Sequence, residues 1–78
     1  MEIINLGYNN AVLKNRVVTI VSVGANPVKR LIEAAKKENK LIDATSGRKT
    51  RSLVVTDAGF FILSSLQPQR LIERVGQS

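Results

Sequence analysis

The chain of 78 residues contains no cysteine and no histidine. Without cysteine there can be no disulfide and no thiolate metal site. Without histidine the usual zinc and copper ligands are missing, and a Ser–His–Asp or Cys–His relay cannot be assembled. There is no GxGxxG run. "GRKT" at 47–50 is not the end of a phosphate-binding loop, because Arg48 follows Gly47 and Ile42 stands where the first glycine is needed. No enzyme activity, cofactor, metal or small-molecule ligand is therefore expected. Aromatic residues are scarce: Tyr8, Phe60, Phe61 and no tryptophan. Proteins that hold single strands stack bases on exposed rings, so this scarcity favours a duplex. Phe60 and Phe61 lie in an apolar run and are expected in the core, while Tyr8, beside Gly7, is expected at the surface. No stretch approaches the roughly 20 apolar residues of a membrane span. The opening "MEIINLGYNN" has an acid at Glu2 and no basic segment, so no secretory leader is expected. The expected location is the cytoplasm.

What is abundant is positive charge. Twelve Lys and Arg face six Asp and Glu, a formal net charge of +6. A field of that sign suits a polyanion. The hydrophobic content of 44% is that of a folded domain rather than a basic tail. At this length one domain is expected, with a core so small that partner subunits are the available source of further burial.

The fold class expected is α+β: a small, mostly antiparallel twisted sheet with one main helix and a short C-terminal helix. "EIINLGY" is rich in β-formers, and "NN" at 9–10 marks a turn. "VVTIVSV" at 17–23 is a strong strand signal. Asn26 reads as a helix cap, with Pro27 at the first helical position and a stop at Asn39. Val28, Leu31, Ile32 and Ala35 form one apolar stripe at helical spacing, and Glu33 with Lys37 makes a favourable i,i+4 pair. Strands are expected over about 41–45, 51–57 and 60–65, with a tight turn at "DAG" 57–59. "QP" at 67–68 opens the terminal helix, with Leu71, Ile72 and Val75 on one side. Strands apolar on both faces need cover on both faces. Two helices leave some of that surface bare, which favours an oligomer over a compact monomer in which the two helices suffice.

The candidate site is "SGRKTRS", 46–52, read as the tip of a hairpin between the strands at 41–45 and 51–57. Arg48, Lys49 and Arg51 supply cations that reach phosphates, and an arginine can also grip guanine through two hydrogen bonds. Thr45, Ser46, Thr50 and Ser52 add phosphate donors, and Gly47 allows a positive-φ turn. Cations on such a tip also blunt edge-to-edge aggregation, so the pattern alone does not decide. Lys14 and Arg16 stand just before a central strand; Lys14 is a candidate secondary phosphate contact, and Arg16 either lies near the tip or is an ordinary strand-entry charge. Asp43, the one acid inside a strand pattern, is expected to pair with Arg48 or Arg51. Asp57 is expected to bond its own turn backbone.

"NLGYNNAV", "NRVVTIVS", "NPVKRLIEAAKKENKLIDATSGRKTRSLVVTD" and "ILSSLQP" together resemble the RemA family of extracellular matrix regulatory proteins, over residues 3 to 75. The resemblance implies a small DNA-binding transcription regulator that assembles as a homo-oligomeric ring. Such proteins activate operons for biofilm matrix and osmotic adaptation and use no cofactor. It implies DNA contacts at Arg48, Lys49, Arg51 and Arg16. Lys49 stands where the family pattern tends to have arginine; it keeps the charge and loses the planar fork. Duplex DNA, particularly A·T-rich promoter DNA, is then the expected partner, with no membrane. An RNA-binding protein and a protein-interaction ring with a basic face are the other two readings of the same charge.

Overall fold

The computed structural model describes residues 2–8 and 10–76. Asn9, half of the expected "NN" turn, lies outside the described residues. The elements are β1 (Ile3–Gly7), β2 (Asn10–Leu13), a 3₁₀ turn (Lys14–Arg16), β3 (Val17–Ser22), α1 (Asn26–Lys37), β4 (Leu41–Asp43), β5 (Ser52–Thr56), β6 (Phe61–Ser64) and α2 (Pro68–Gly76). This is the α+β class expected, with two sheets. β1 and β2 form a hairpin, and the other four strands form a sheet in the order β3-β5-β6-β4.

In the larger sheet β3, β5 and β6 run antiparallel, while β4 pairs with β6 in parallel. β4 and β5 are therefore not neighbours. The segment between them is not the tip of a hairpin, as the flanking strand signals suggested. It is a crossing over the end of β6. The reason is where the backbone bonds go: Ala44 N–H donates to Leu63 O and Arg51 N–H to Ser64 O, each at 2.9 Å. Both ends of the segment are tied to β6, which intervenes between the strands they leave.

One face of the large sheet carries Ile20, Val54, Ile62 and Ile42 in register. It is covered by the β1–β2 hairpin and by α2, through Ile4, Leu6 and Leu71. The short strand β2 has no alternating apolar signal and is legible only as the partner of β1, with Ile4 facing Val12. α2 supplies more cover than its length suggested, since Leu71 is fully buried. Ile72 does not share that side. It is half exposed and lines a shallow groove with Val17, Val18 and Val75.

The other face meets α1. Ala35 is buried there, whereas Leu31 remains 39% exposed. α1 begins one residue earlier than expected: Lys29 N–H bonds Ala25 O at 3.1 Å, so Ala25 rather than Asn26 holds the cap position. Pro27 fits the second helical position as well as the first, because neither N–H would have an intrahelical partner. The stop falls where expected. Asn39 adopts a left-handed φ of 58°, and Asn39 and Lys40 N–H groups bond back to Lys36 and Ala35, a Schellman closure. Glu33 and Lys37 are not among the ion pairs of the described residues.

Two buried serines join the layers. Ser64 Oγ donates to Leu6 O and accepts from Leu66 N–H, and Ser52 Oγ donates to Leu66 O. Ser64→Ala leaves a buried carbonyl and a partly buried N–H without that partner. A loss of about 1–3 kcal/mol is expected, measurable as a lower urea midpoint at unchanged slope. An unchanged midpoint would mean that water replaces the hydroxyl.

Candidate nucleic-acid interface

Strand directions sort the connections into two ends. At one end lie the β1–β2 turn, the segment 44–51, the start of α1 and the start of α2. At the other lie the 3₁₀ turn, the 57–59 turn and the C-terminal ends of both helices. The first end holds the candidate loop.

That loop is a built structure. Asp43 Oδ1 accepts from Thr45 N–H at 2.9 Å and from Thr45 Oγ1 at 2.6 Å. Thr45 itself is buried, as is Ser52, and both hydroxyls donate within the protein, so neither is the phosphate donor expected. Arg48 N–H then donates to Thr45 O at 3.1 Å. The two central residues, Ser46 and Gly47, have φ of 53° and 79°, the positive pair that a type I′ turn needs. The expected role of Gly47 is thus borne out. No atom lies near its missing Cβ, so the backbone conformation, not space, requires glycine there. Asp43 departs from expectation: it holds Thr45 instead of pairing with a loop arginine. The arginines are left clear of acids.

The hydrogen bonds from the Thr45 hydroxyl and then its N–H hold the Asp43 carboxyl below its ordinary 3.8. A carboxyl with a depressed folded-state value contributes stability above its unfolded value, and the contribution disappears as pH falls through the folded value. Asp43→Ala should therefore be less stable than the parent at about pH 6, with the gap closing towards about pH 2. Urea midpoints at the two pH values check this. A gap that persists in acid would assign the effect to packing rather than to the carboxylate.

Within the loop the cations are exposed. Arg48 lies with its guanidinium 3.7 Å from the centroid of the Tyr8 ring, and its Nη1 makes one long contact, 3.4 Å, to Ser46 O. Lys49 and Arg51 have no side-chain hydrogen bond or ion pair among the described residues. Thr50 is partly buried beside them. α1 starts at the same end with no acid in its first turn, so its dipole adds to the positive field there.

Arg16 and Lys14 are elsewhere. Asp57 N–H donates to Arg16 O, and Arg16 Nε pairs with Asp57 Oδ1 at 3.1 Å. Asp57 so serves Arg16 and not its own turn. Lys14 pairs with Glu2 at 3.0 Å. From Arg51 to Asp57 β5 spans about 20 Å at an extended rise, so Arg16 and the loop cations occupy opposite ends of one subunit. An exposed pair such as Arg16–Asp57 contributes little, typically below about 1 kcal/mol, and can be exchanged for a phosphate.

One other expectation changes. Phe60 is 43% exposed, not core. Tyr8 is exposed as expected, but its contact with the loop was not legible, because nothing local links the two segments. Among the described residues, no group of three or more acids could hold a metal ion, and no helix is long and apolar enough to cross a membrane.

The small α+β scaffold thus carries a loop of exposed cations. Comparison with known proteins gives the family: residues 3–75 match the RemA-like model, described as extracellular matrix regulatory protein A-like, and the chain belongs to that family. It is 46% identical over 78 residues to a Finegoldia magna protein, covering 100% of this chain and 94% of the relative. It is 47% identical to one from Geobacillus thermodenitrificans, covering 96% and 86%, and 49% identical to one from Kosmotoga olearia, covering 97% and 77%. Each carries the name "Putative regulatory protein".

Proposed function

We propose that the protein is a homo-oligomeric, duplex-DNA-binding regulator of transcription that acts in the cytoplasm on A·T-rich promoter DNA. The observation that carries this reading is the loop 44–51: Arg48, Lys49 and Arg51 stand exposed on a backbone tied to β6 at both ends, with no acid paired to them among the described residues. Phosphates are the ligand for that arrangement, with Ser46 and Thr50 as flanking donors. Membership of a family described as matrix regulators, and relatives named as regulators, support genes of the biofilm matrix as targets.

Self-assembly is part of the proposal. Ile3, Val18 and Ile72 are each more than half exposed. They lie on β1, on the edge strand β3 and on α2, apolar surface of the kind a second copy covers. One loop per subunit is a weak binder; several fixed on one ring act together through effective concentration. Arg16, about 20 Å from the loop by the strand rise, then serves as a second contact zone rather than part of the first.

The test is a competition titration. A labelled A·T-rich DNA duplex bound to the protein is challenged with unlabelled DNA or RNA duplex of the same length. DNA is expected to displace the label at lower concentration than RNA. Equal or better displacement by RNA would favour the RNA-binding reading. Absence of binding at low salt would leave the protein-interaction ring.

A further inference from the structure

We infer that Tyr8 is a positioning residue of the polyanion site, holding the Arg48 guanidinium ready for phosphate. The inference rests on the nucleic-acid reading above and adds a residue that the loop sequence does not contain. Tyr8 has a left-handed φ of 52°. A bulky side chain is disfavoured there, where glycine or asparagine fits without strain. A tyrosine held in that conformation points to a use for its ring. The hydrophobic core does not supply one, since Tyr8 is 47% exposed and outside the buried cluster. Its ring meets Arg48 instead.

The two segments are also tied through the Asn10 side chain. Gly7 N–H donates to Asn5 Oδ1 at 2.7 Å. The Asn10 amide donates to Gly7 O, to Tyr8 O and, across the gap, to Ala44 O at the foot of the cationic loop. The turn and the loop therefore form one unit.

The geometry leaves Arg48 able to bind. Stacking uses the flat face of a guanidinium, while its N–H groups lie in its plane and point outward. Phosphate binds in that plane. Tyr8 can hold the cation while Arg48 bonds a phosphate, so part of the ordering of a long side chain is complete before DNA arrives. Among the described residues, Lys49 and Arg51 have no ring beneath them.

The test uses the whole chain and an A·T-rich duplex. Tyr8→Asn removes the ring and relieves the backbone, so its thermal midpoint should equal or exceed that of the parent. Its duplex affinity should fall by about two- to fivefold per engaged subunit. Its dependence on log salt should not change, because no cation is lost. Tyr8→Phe should bind like the parent. Tyr8→Asn added to Arg48→Ala should have no further effect. Parental affinity in a folded Tyr8→Asn overturns the inference, and so does an equal further loss in the Arg48→Ala background, since a role independent of Arg48 would give that. Absence of duplex binding by the parent at low salt overturns the functional reading, and this role with it.

Discussion

The Arg48→Ala/Arg51→Ala double variant is expected to lose about 10- to 100-fold in duplex affinity per engaged subunit, as removal of two charge-assisted hydrogen bonds implies. Its plot of log affinity against log salt should flatten by about 0.9 for each lost phosphate contact. The fold should be untouched. Both side chains are exposed, and the loop is held by backbone groups, by Thr45 and by Asp43, not by the arginines. A thermal midpoint at the parental value, measured on the same samples, separates lost binding from lost structure. Arg16→Ala should combine additively with the loop variants, because sites more than about 10 Å apart with no shared partner behave independently. A folded double variant that binds duplex normally would remove the loop from the interface.

The largest effect on stability is expected at Leu71. It is the anchor of α2, fully buried against the core of Ile4, Leu6, Val54 and Ile62. α2 and the β1–β2 hairpin cover the same face of the sheet, so truncating Leu71 opens a cavity under both. Leu71→Ala should cost about 2–5 kcal/mol. Against the roughly 5–15 kcal/mol that holds a domain together, this brings a chain of 78 residues close to unfolding. Ile72→Ala, one residue along and half exposed, should cost far less, within about 1 kcal/mol of the parent. Urea unfolding of the two variants side by side measures the contrast. Equal midpoints would mean that α2 is not docked through Leu71. Ile72 keeps a separate role in the oligomer proposed above, and a shift of the concentration dependence of assembly in Ile72→Ala would reveal it.

Much of this architecture could be read from residue patterns. The run at 17–23, the stripe at 28, 31, 32 and 35 and the stop at Asn39 are local signals. The strand ends one residue early at Ser22, the stripe is helical with Leu31 left exposed, and the stop falls where it was expected. The positive-φ demand at Gly47 is local as well. What could not be read is pairing between distant segments. β2 has too short and polar a pattern to announce a strand, and it exists because β1 offers it a register. The strands on either side of 44–51 look like two arms of a hairpin until β6 inserts between them. That insertion changes the candidate site from a projecting tip into a strap across the end of the sheet. Strand direction sends Arg16 to the opposite end, since β3 runs antiparallel to β5 and begins where β5 finishes. Tyr8 and Arg48 meet for the same reason: β1 and β4 deliver their following loops to one end. The residue types that define the site were legible. Their clustering in one loop was legible too; the ring beneath Arg48 and the distance to Arg16 were decided by topology.

The central claim is that the loop cations neutralise DNA phosphates, and its most direct measurement is the salt dependence of duplex binding by the unmodified chain. Fluorescence anisotropy of a labelled A·T-rich duplex, titrated at several salt concentrations, yields the slope of log affinity against log salt. The account predicts a steep negative slope, with about 0.9 for each phosphate engaged and several phosphates per assembly. A flat slope, or no binding even at the lowest salt, would contradict it and assign the cationic loop to a protein partner.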